Sequence, residues 1–211
     1  MKIGIDIDGV INNLEEYHVA FGSRFCYERG ISFHLDIKEY ELTTMYQWDE
    51  ITEKQFYDTY YYIFLTSPEF IRIHAREIMQ KLYGENELII ITARLECDVP
   101  PGISLSMYDI TRNWLVDNSI PFHKLVFSPA DKSQILQTYN IDIMIEDNPG
   151  FLQEANNISI PFLCFDTDYN RICLPDNVVR VYSWNDILHI IKALKRRGTN
   201  EELYFNNYYA R

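Results

Sequence analysis

Lys2-Ile3-Gly4-Ile5-Asp6-Ile7-Asp8-Gly9-Val10, at the head of a 211-residue chain, decides the fold. Ile3, Ile5 and Ile7 alternate with Gly4, Asp6 and Asp8, a period of two that predicts a strand ending in acids. Gly9 then permits a sharp exit, because a residue without Cβ reaches conformations closed to the others.

Further short, β-branched-rich segments follow at Glu87–Ile91, Lys124–Phe127, Asp142–Ile145 and Ser159–Phe165, with a weaker one at Val178–Val181. Between them lie helical patterns at Pro68–Leu82, Leu105–Val116, Lys132–Tyr139, Pro149–Asn156 and Trp184–Arg197. Several have recognisable starts. Asp131 precedes Lys132 with Gln134 three residues on, Asn148 precedes a proline at the first helical position, and Ser183 precedes Trp184 with Asp186 three residues on. Strand and helix alternate, so the expected fold is α/β: a Rossmann-like, mainly parallel sheet with helices on both faces.

From Asn12 to about Ser67 that rhythm breaks. No buried strand is evident, and Tyr17, Phe21 and Phe25, then Phe56 and Tyr60, recur at helical spacing. Residues 12–67 therefore form a small helical cap inserted after the first strand, and residues 1–11 and 68–211 the core. No Gly/Ser linker is present, so the cap should pack on the core. Residues 198–211 make a Tyr/Asn-rich tail after the basic helix end at Lys195-Arg196-Arg197.

The composition, 47% hydrophobic and 24% charged, is that of a globular domain. Nineteen Lys and Arg against 31 Asp and Glu leave a net charge of −12, which repels long nucleic acids. The N-terminus has no signal-peptide core, and the strongest apolar run, Leu88–Ile91, is far too short to span a membrane. The expected location is the cytoplasm, with no membrane partner. Cys26, Cys97, Cys164 and Cys173 stand far apart and read as reduced thiols, and the five histidines form no metal-ligand or triad pattern.

In an open parallel sheet the ligand crevice lies beyond the carboxyl ends of the strands. Four candidate strands end on, or lead into, reactive side chains there: Asp6 and Asp8, Thr92 and Arg94, Lys132, and Glu146 and Asp147. Carboxylates so gathered need protons or a hard cation, and an all-oxygen set without His or Cys suits Mg²⁺. Such an ion also bridges a carboxylate to a phosphoryl oxygen, so a phosphorylated ligand follows.

Asp6-Ile7-Asp8-Gly9-Val10, Ile91-Thr92-Ala93-Arg94, Lys132 and Ile145-Glu146-Asp147-Asn148-Pro149 resemble, in order and strand context, the four motifs of haloacid dehalogenase superfamily phosphatases. The resemblance covers nearly the whole chain and is strongest to the 5′(3′)-deoxyribonucleotidases and uncharacterised bacterial nucleotidases. It implies a phosphomonoester hydrolase with Asp6 as nucleophile and Asp8 as general acid and then base. Thr92 and Lys132 would hold the phosphoryl group, Arg94 would clamp a substrate phosphate or pair with a cap acid, and Mg²⁺ would sit on Asp6, the Asp8 carbonyl and Asp147 with support from Glu146. Lys124 competes with Lys132 for the lysine role.

The second motif is Thr-Ala-Arg rather than Thr-Ser-Pro, and the fourth begins with Glu rather than Asp. Thr111-Arg112-Asn113-Trp114-Leu115 and Ile120-Pro121-Phe122 also resemble the 3′-phosphatase domain of polynucleotide kinases. The implied substrate is a nucleoside monophosphate, with a sugar phosphate or a 3′-phosphate as alternatives. A non-catalytic binding member and a DxD glycosyltransferase are rival functions, the first disfavoured by the pairing of Asp6 with Asp8. In the cap, Tyr46 and Trp48 are the candidates to stack on a nucleobase, while most of Tyr57, Tyr60, Tyr61, Tyr62 and Phe64 should be cap core.

Overall fold

The computed structural model describes residues 1–128, 132–172 and 174–197. Asp131, Cys173 and the 198–211 tail therefore lie outside the described residues. Six parallel strands form one sheet in the order β3-β2-β1-β4-β5-β6: β1 (Lys2–Ile5), β2 (Glu87–Thr92), β3 (Lys124–Phe127), β4 (Ile143–Glu146), β5 (Phe162–Phe165) and β6 (Val178–Val181). The order reverses between β1 and β4, which pair Ile3 with Ile143 and Ile5 with Ile145. That reversal opens a crevice at the strands' carboxyl ends.

Both sheet faces are covered because the strands carry apolar residues on both sides. Leu88 and Ile90 join Ile3, Ile5, Ile143 and Ile145 on one face, under α4 (Ala75–Tyr83), α5 (Met107–Asp117) and α8 (Trp184–Arg197). Ile89, Ile91 and Met144 point the other way, onto α6 (Ser133–Thr138) and α7 (Pro149–Gln153). Asn148 and Ser183 act as helix caps as their positions imply, accepting from the amides of Phe151 and Asp186 at 3.0 and 3.2 Å.

Between β1 and β2 the chain builds α1 (Leu14–Arg29), the one-turn α2 (Leu42–Met45) and α3 (Glu50–Thr66). Asn13 and Asp49 cap α1 and α3. These elements enclose their own apolar cluster of Tyr17, Phe25, Trp48, Phe56 and Phe64. Two crossing strands of chain tie this unit to the sheet. The Asn13 amide donates to the Phe70 carbonyl (2.7 Å), the Arg72 amide to the Ile11 carbonyl (2.9 Å), and Asn12 bridges Ile71 antiparallel. This stem corrects the expected helix at Pro68–Leu82: residues 70–72 are occupied by the bridge, and α4 starts only at Ala75, after His74 turns with φ 65°. Among the described residues no helix is long and apolar enough to cross a membrane.

Candidate active site

The site is built on the two strands that flank the reversal. Beyond β1 the chain carries Asp6 and Asp8 and turns at Gly9, whose φ is +88°. A Cβ there would stand 1.8 Å from Asp147 Oδ2, so only glycine admits the loop after β4 this close. That loop brings Glu146 and Asp147 beside Asp6. Thr92 at the end of β2, with Arg94 just past it, and Lys132 before α6 complete the floor of a cavity of about 660 Å³ lined by all seven residues.

Lys132 Nζ lies 2.6 Å from Asp6 Oδ1 and 2.7 Å from Glu146 Oε2. All three side chains are buried. Glu146 Oε1 also accepts from the amides of Asp147 and Asn148 at 3.0 and 3.1 Å. Both Glu146 oxygens are thus engaged, and its work is to fix Lys132 and the loop. Burial pushes the Asp6 carboxyl up to about 7, against the pull of Lys132 and with a further push from Glu146 and Asp8. Burial likewise raises Asp147 well above the carboxylate range, and Glu146 and Asp6 add to it.

Asp8 has the opposite surroundings. Burial alone would raise its carboxyl, but Arg94 outweighs that and, with Asn12, holds it below the usual range. The guanidinium grips it in a fork, Nε to Oδ2 at 2.8 Å and Nη2 to Oδ1 at 2.7 Å, while Asn12 Nδ2 donates to Oδ1 at 2.9 Å. Arg94, expected on the substrate or a cap acid, is therefore spent on Asp8 and on the Thr111 hydroxyl at 3.3 Å. Lys124 stands elsewhere, at the start of β3, half-exposed against Glu87 and Tyr139. It does not line the cavity.

Asp6, Glu146 and Asp147 each place one carboxylate oxygen within 4.8 Å of the others. Four buried or half-buried acids here face two ion-paired cations, Lys132 and Arg94. With all four ionised the excess is two negative charges, which with the oxygen-only donors fits one divalent hard cation such as Mg²⁺. Since Glu146 is already engaged, Asp6 and Asp147 are the better donors.

Some residues here carry no sequence signal. Tyr169, after β5, donates its hydroxyl to Asp147 Oδ2, Asn170 Nδ2 donates to the carbonyls of Asp147 (2.9 Å) and Phe165 (2.8 Å), and Tyr40 of the cap packs edge-on against Tyr169 at 5.2 Å. Asn12 alone was within reach of sequence reasoning, four residues past Asp8. In the cap, Tyr46 and Trp48 do not reach the cavity, which corrects their expected role as a base platform. They stack on each other at 4.5 Å in the cap core, where the Tyr46 ring fills the space above Gly22 and its hydroxyl donates to the His18 carbonyl at 3.0 Å. Tyr40, Tyr57, Tyr61 and Phe64 line the cavity instead.

A doubly wound parallel sheet with a helical unit between its first two strands, and carboxylates, lysine and threonine converging at the switch point, give the chain a haloacid dehalogenase-like fold. The fold agrees: a haloacid dehalogenase-like hydrolase from Xanthomonas campestris superposes with a TM-score of 0.61 at 11% identity, over 95% of this chain and 98% of that one. The chain belongs to the family described as 5′-nucleotidase, deoxy (pyrimidine), cytosolic type C, whose sequence model matches residues 1–197. It is thereby a phosphoric monoester hydrolase of the nucleotidase type. A candidate nucleotidase of Halalkalibacterium halodurans is 27% identical over 93% of this chain and 96% of its own, and a nucleotidase of Clostridium acetobutylicum is 26% identical over 92% and 95%.

Proposed function

We propose that the protein is a cytoplasmic, Mg²⁺-dependent 5′-nucleotidase that hydrolyses nucleoside monophosphates through an aspartyl-phosphate on Asp6. One observation supports this reading most: Asp6 and the Glu146–Asp147 pair each bring a carboxylate oxygen within 4.8 Å of the others, Lys132 Nζ lies 2.6 Å from Asp6, and Asp8, two residues on, lines the same cavity. An acid-lined pocket with a lysine suits a phosphoryl group bridged by a divalent cation, and a second carboxylate two residues from the first is placed to exchange a proton with the leaving oxygen. The cytosolic type in the family's description supports the location.

In the first half-reaction an Asp6 oxygen bonds to phosphorus, the bond from phosphorus to the 5′ oxygen breaks, and that oxygen takes a proton from Asp8. In the second, Asp8 takes a proton from water, the water oxygen bonds to phosphorus, and the bond to Asp6 breaks with release of phosphate. Thr92 and Lys132 receive the equatorial oxygens. Asp6, Asp147 and the Asp8 carbonyl would hold Mg²⁺, which when bound would supply the positive charge that lets an anionic nucleophile approach an anionic ester. The Arg94 fork stabilises ionised Asp8, the form needed in the second half. Protonated Asp8 in the first half requires that fork to loosen, and an entering phosphate offers the guanidinium a rival anion.

The test is phosphate release from nucleoside monophosphates and sugar phosphates, with Mg²⁺ and with chelator. Wild type should turn over nucleotides only with the metal, and Asp6→Asn should be inactive yet folded. Turnover of sugar phosphates alone, or by Asp6→Asn at near the wild-type rate, overturns the reading.

A further inference from the structure

Tyr169 reaches the loop after β4 from behind. It is buried, does not line the cavity, and donates its hydroxyl to Asp147 Oδ2. Its neighbour Asn170, fully buried, accepts at Oδ1 from the Thr167 amide at 3.2 Å and from Arg180 Nη1 at 2.7 Å, while its carbonyl accepts from Arg180 Nη2 at 2.7 Å. Arg180 on β6 pairs in turn with Asp166 at 2.9 Å. Tyr40 of the cap closes the other side, edge-on to the Tyr169 ring at 5.2 Å. The phenol is thus fixed by the protein itself, against a candidate metal ligand and outside the cavity wall.

The carboxylate oxygens of the acid cluster are divided unequally. Lys132 takes Asp6 Oδ1, Lys132 and two amides take both oxygens of Glu146, and Tyr169 takes Asp147 Oδ2. Among the described residues no donor reaches Asp6 Oδ2 or Asp147 Oδ1. Each proposed side-chain ligand is left one unclaimed oxygen. Asp147 releases its second only by breaking the Tyr169 bond and lifting Oδ2 off the Gly9 turn, where it lies 1.8 Å from the position a Cβ would take. Single oxygens suit Mg²⁺, which demands a near-ideal octahedron at about 2.0–2.1 Å, whereas Ca²⁺ takes about six to eight oxygens at about 2.3–2.6 Å and accepts both oxygens of one carboxylate.

Resting on the Mg²⁺ site of the proposed function, we infer that Tyr169 is a positioning residue that makes Asp147 a one-oxygen ligand and so sets the preference of the site for Mg²⁺ over Ca²⁺. Without the hydroxyl, the Asp147 carboxylate is free to turn. That loosens it for the ion that needs strict placement and opens its second oxygen to the ion that accepts a pair.

The experiment titrates metal-free protein with MgCl₂ or CaCl₂ alone, followed by calorimetry and by the rise in Tm that binding to the folded state produces. It compares wild type, Tyr169→Phe and the control Tyr182→Phe, the same deletion on an exposed ring. Melts without metal establish folding. Wild type and Tyr182→Phe should bind Mg²⁺ more tightly than Ca²⁺, and Tyr169→Phe should lose roughly tenfold or more in Mg²⁺ affinity while its Ca²⁺ affinity holds or improves. If Tyr169→Phe melts below the assay temperature, Tyr40→Leu takes its place: it withdraws the ring that steadies the phenol, keeps the hydroxyl, and should move the two affinities in the same directions by a smaller factor. Equal weakening of both ions, no change in either, or a wild type without Mg²⁺ preference overturns the inference and leaves the nucleotidase reading standing. A wild type that binds neither ion, and releases phosphate from nucleotides equally well in chelator, overturns the metal site and the inference with it.

Discussion

Replacing Lys132 by Met keeps the length of the side chain and removes the one ammonium shared by Asp6 and Glu146. The two carboxylates are then unequal. Glu146 keeps the amides of Asp147 and Asn148, whereas the Asp6 side chain loses its hydrogen-bond donor. Breaking a buried pair by removing one partner costs about 3–5 kcal/mol. In a domain of this size about 1 kcal/mol corresponds to about 2–4 °C, so Tm should fall by roughly 6–20 °C without divalent metal. With its counter-charge gone Asp6 should be protonated at neutral pH, and kcat should drop by about 10²–10³-fold or more. The assay is a thermal melt at pH 7.5 with and without saturating Mg²⁺, beside phosphate release. Saturating Mg²⁺ should raise the Tm of Lys132→Met more than that of wild type, since added positive charge has more unpaired carboxylate to meet. A metal-free Tm within about 2 °C of wild type would refute the reasoning, for the bridge would then only break even against an apolar side chain.

Gly9→Ala should weaken Mg²⁺ binding measured by calorimetry and lower stability by at least about 1–2 kcal/mol, the cost of a left-handed backbone alone, because the new Cβ displaces the Asp147 carboxylate; unchanged metal affinity would contradict the contact. Trp48→Ala should destabilise by about 3–5 kcal/mol in denaturant melts and leave the ratio of nucleotide to aryl-phosphate kcat/KM as in wild type, whereas a selective loss on nucleotides would restore Trp48 as a base platform. Burial holds the His18 imidazole down to about 4, from 6.5, so its stabilising contribution is present above pH 6.5 and lost as pH falls toward 4. Wild type should therefore lose about 3 kcal/mol more than His18→Asn between pH 7 and pH 4 in urea titrations, and parallel losses would argue against a neutral buried ring.

Strand placement was legible because a parallel sheet covered on both faces demands continuous apolar runs, and Leu88–Ile91 and Ile143–Ile145 supply them in a charged chain. The same logic placed Asp6, Thr92 and Glu146 at strand ends. Lys132 could not be separated from Lys124 in one dimension, since only the third distinguishes the two ends of β3. Residues 36–48 misled for a physical reason: an irregular backbone has no period to show which way its rings face, and the empty space over Gly22 that receives Tyr46 is created by another helix. Tyr169 had no signal at all, because its tie to Asp147 spans 22 residues of chain with a helix and a strand between them.

The position of β1 in the sheet has a consequence for the order in which the molecule can be made. It is the first strand to be synthesised, yet its hydrogen-bonding partners, β2 and β4, begin at residues 87 and 143. Both pairings close long loops, the slow kind of contact in folding. A nascent chain must hold Ile3, Ile5 and Ile7 without sheet partners through the synthesis of the whole cap. Asp6 meets both Lys132 and Glu146 only once residue 146 exists, so the proposed nucleophile is encoded before its partners and assembled with them late.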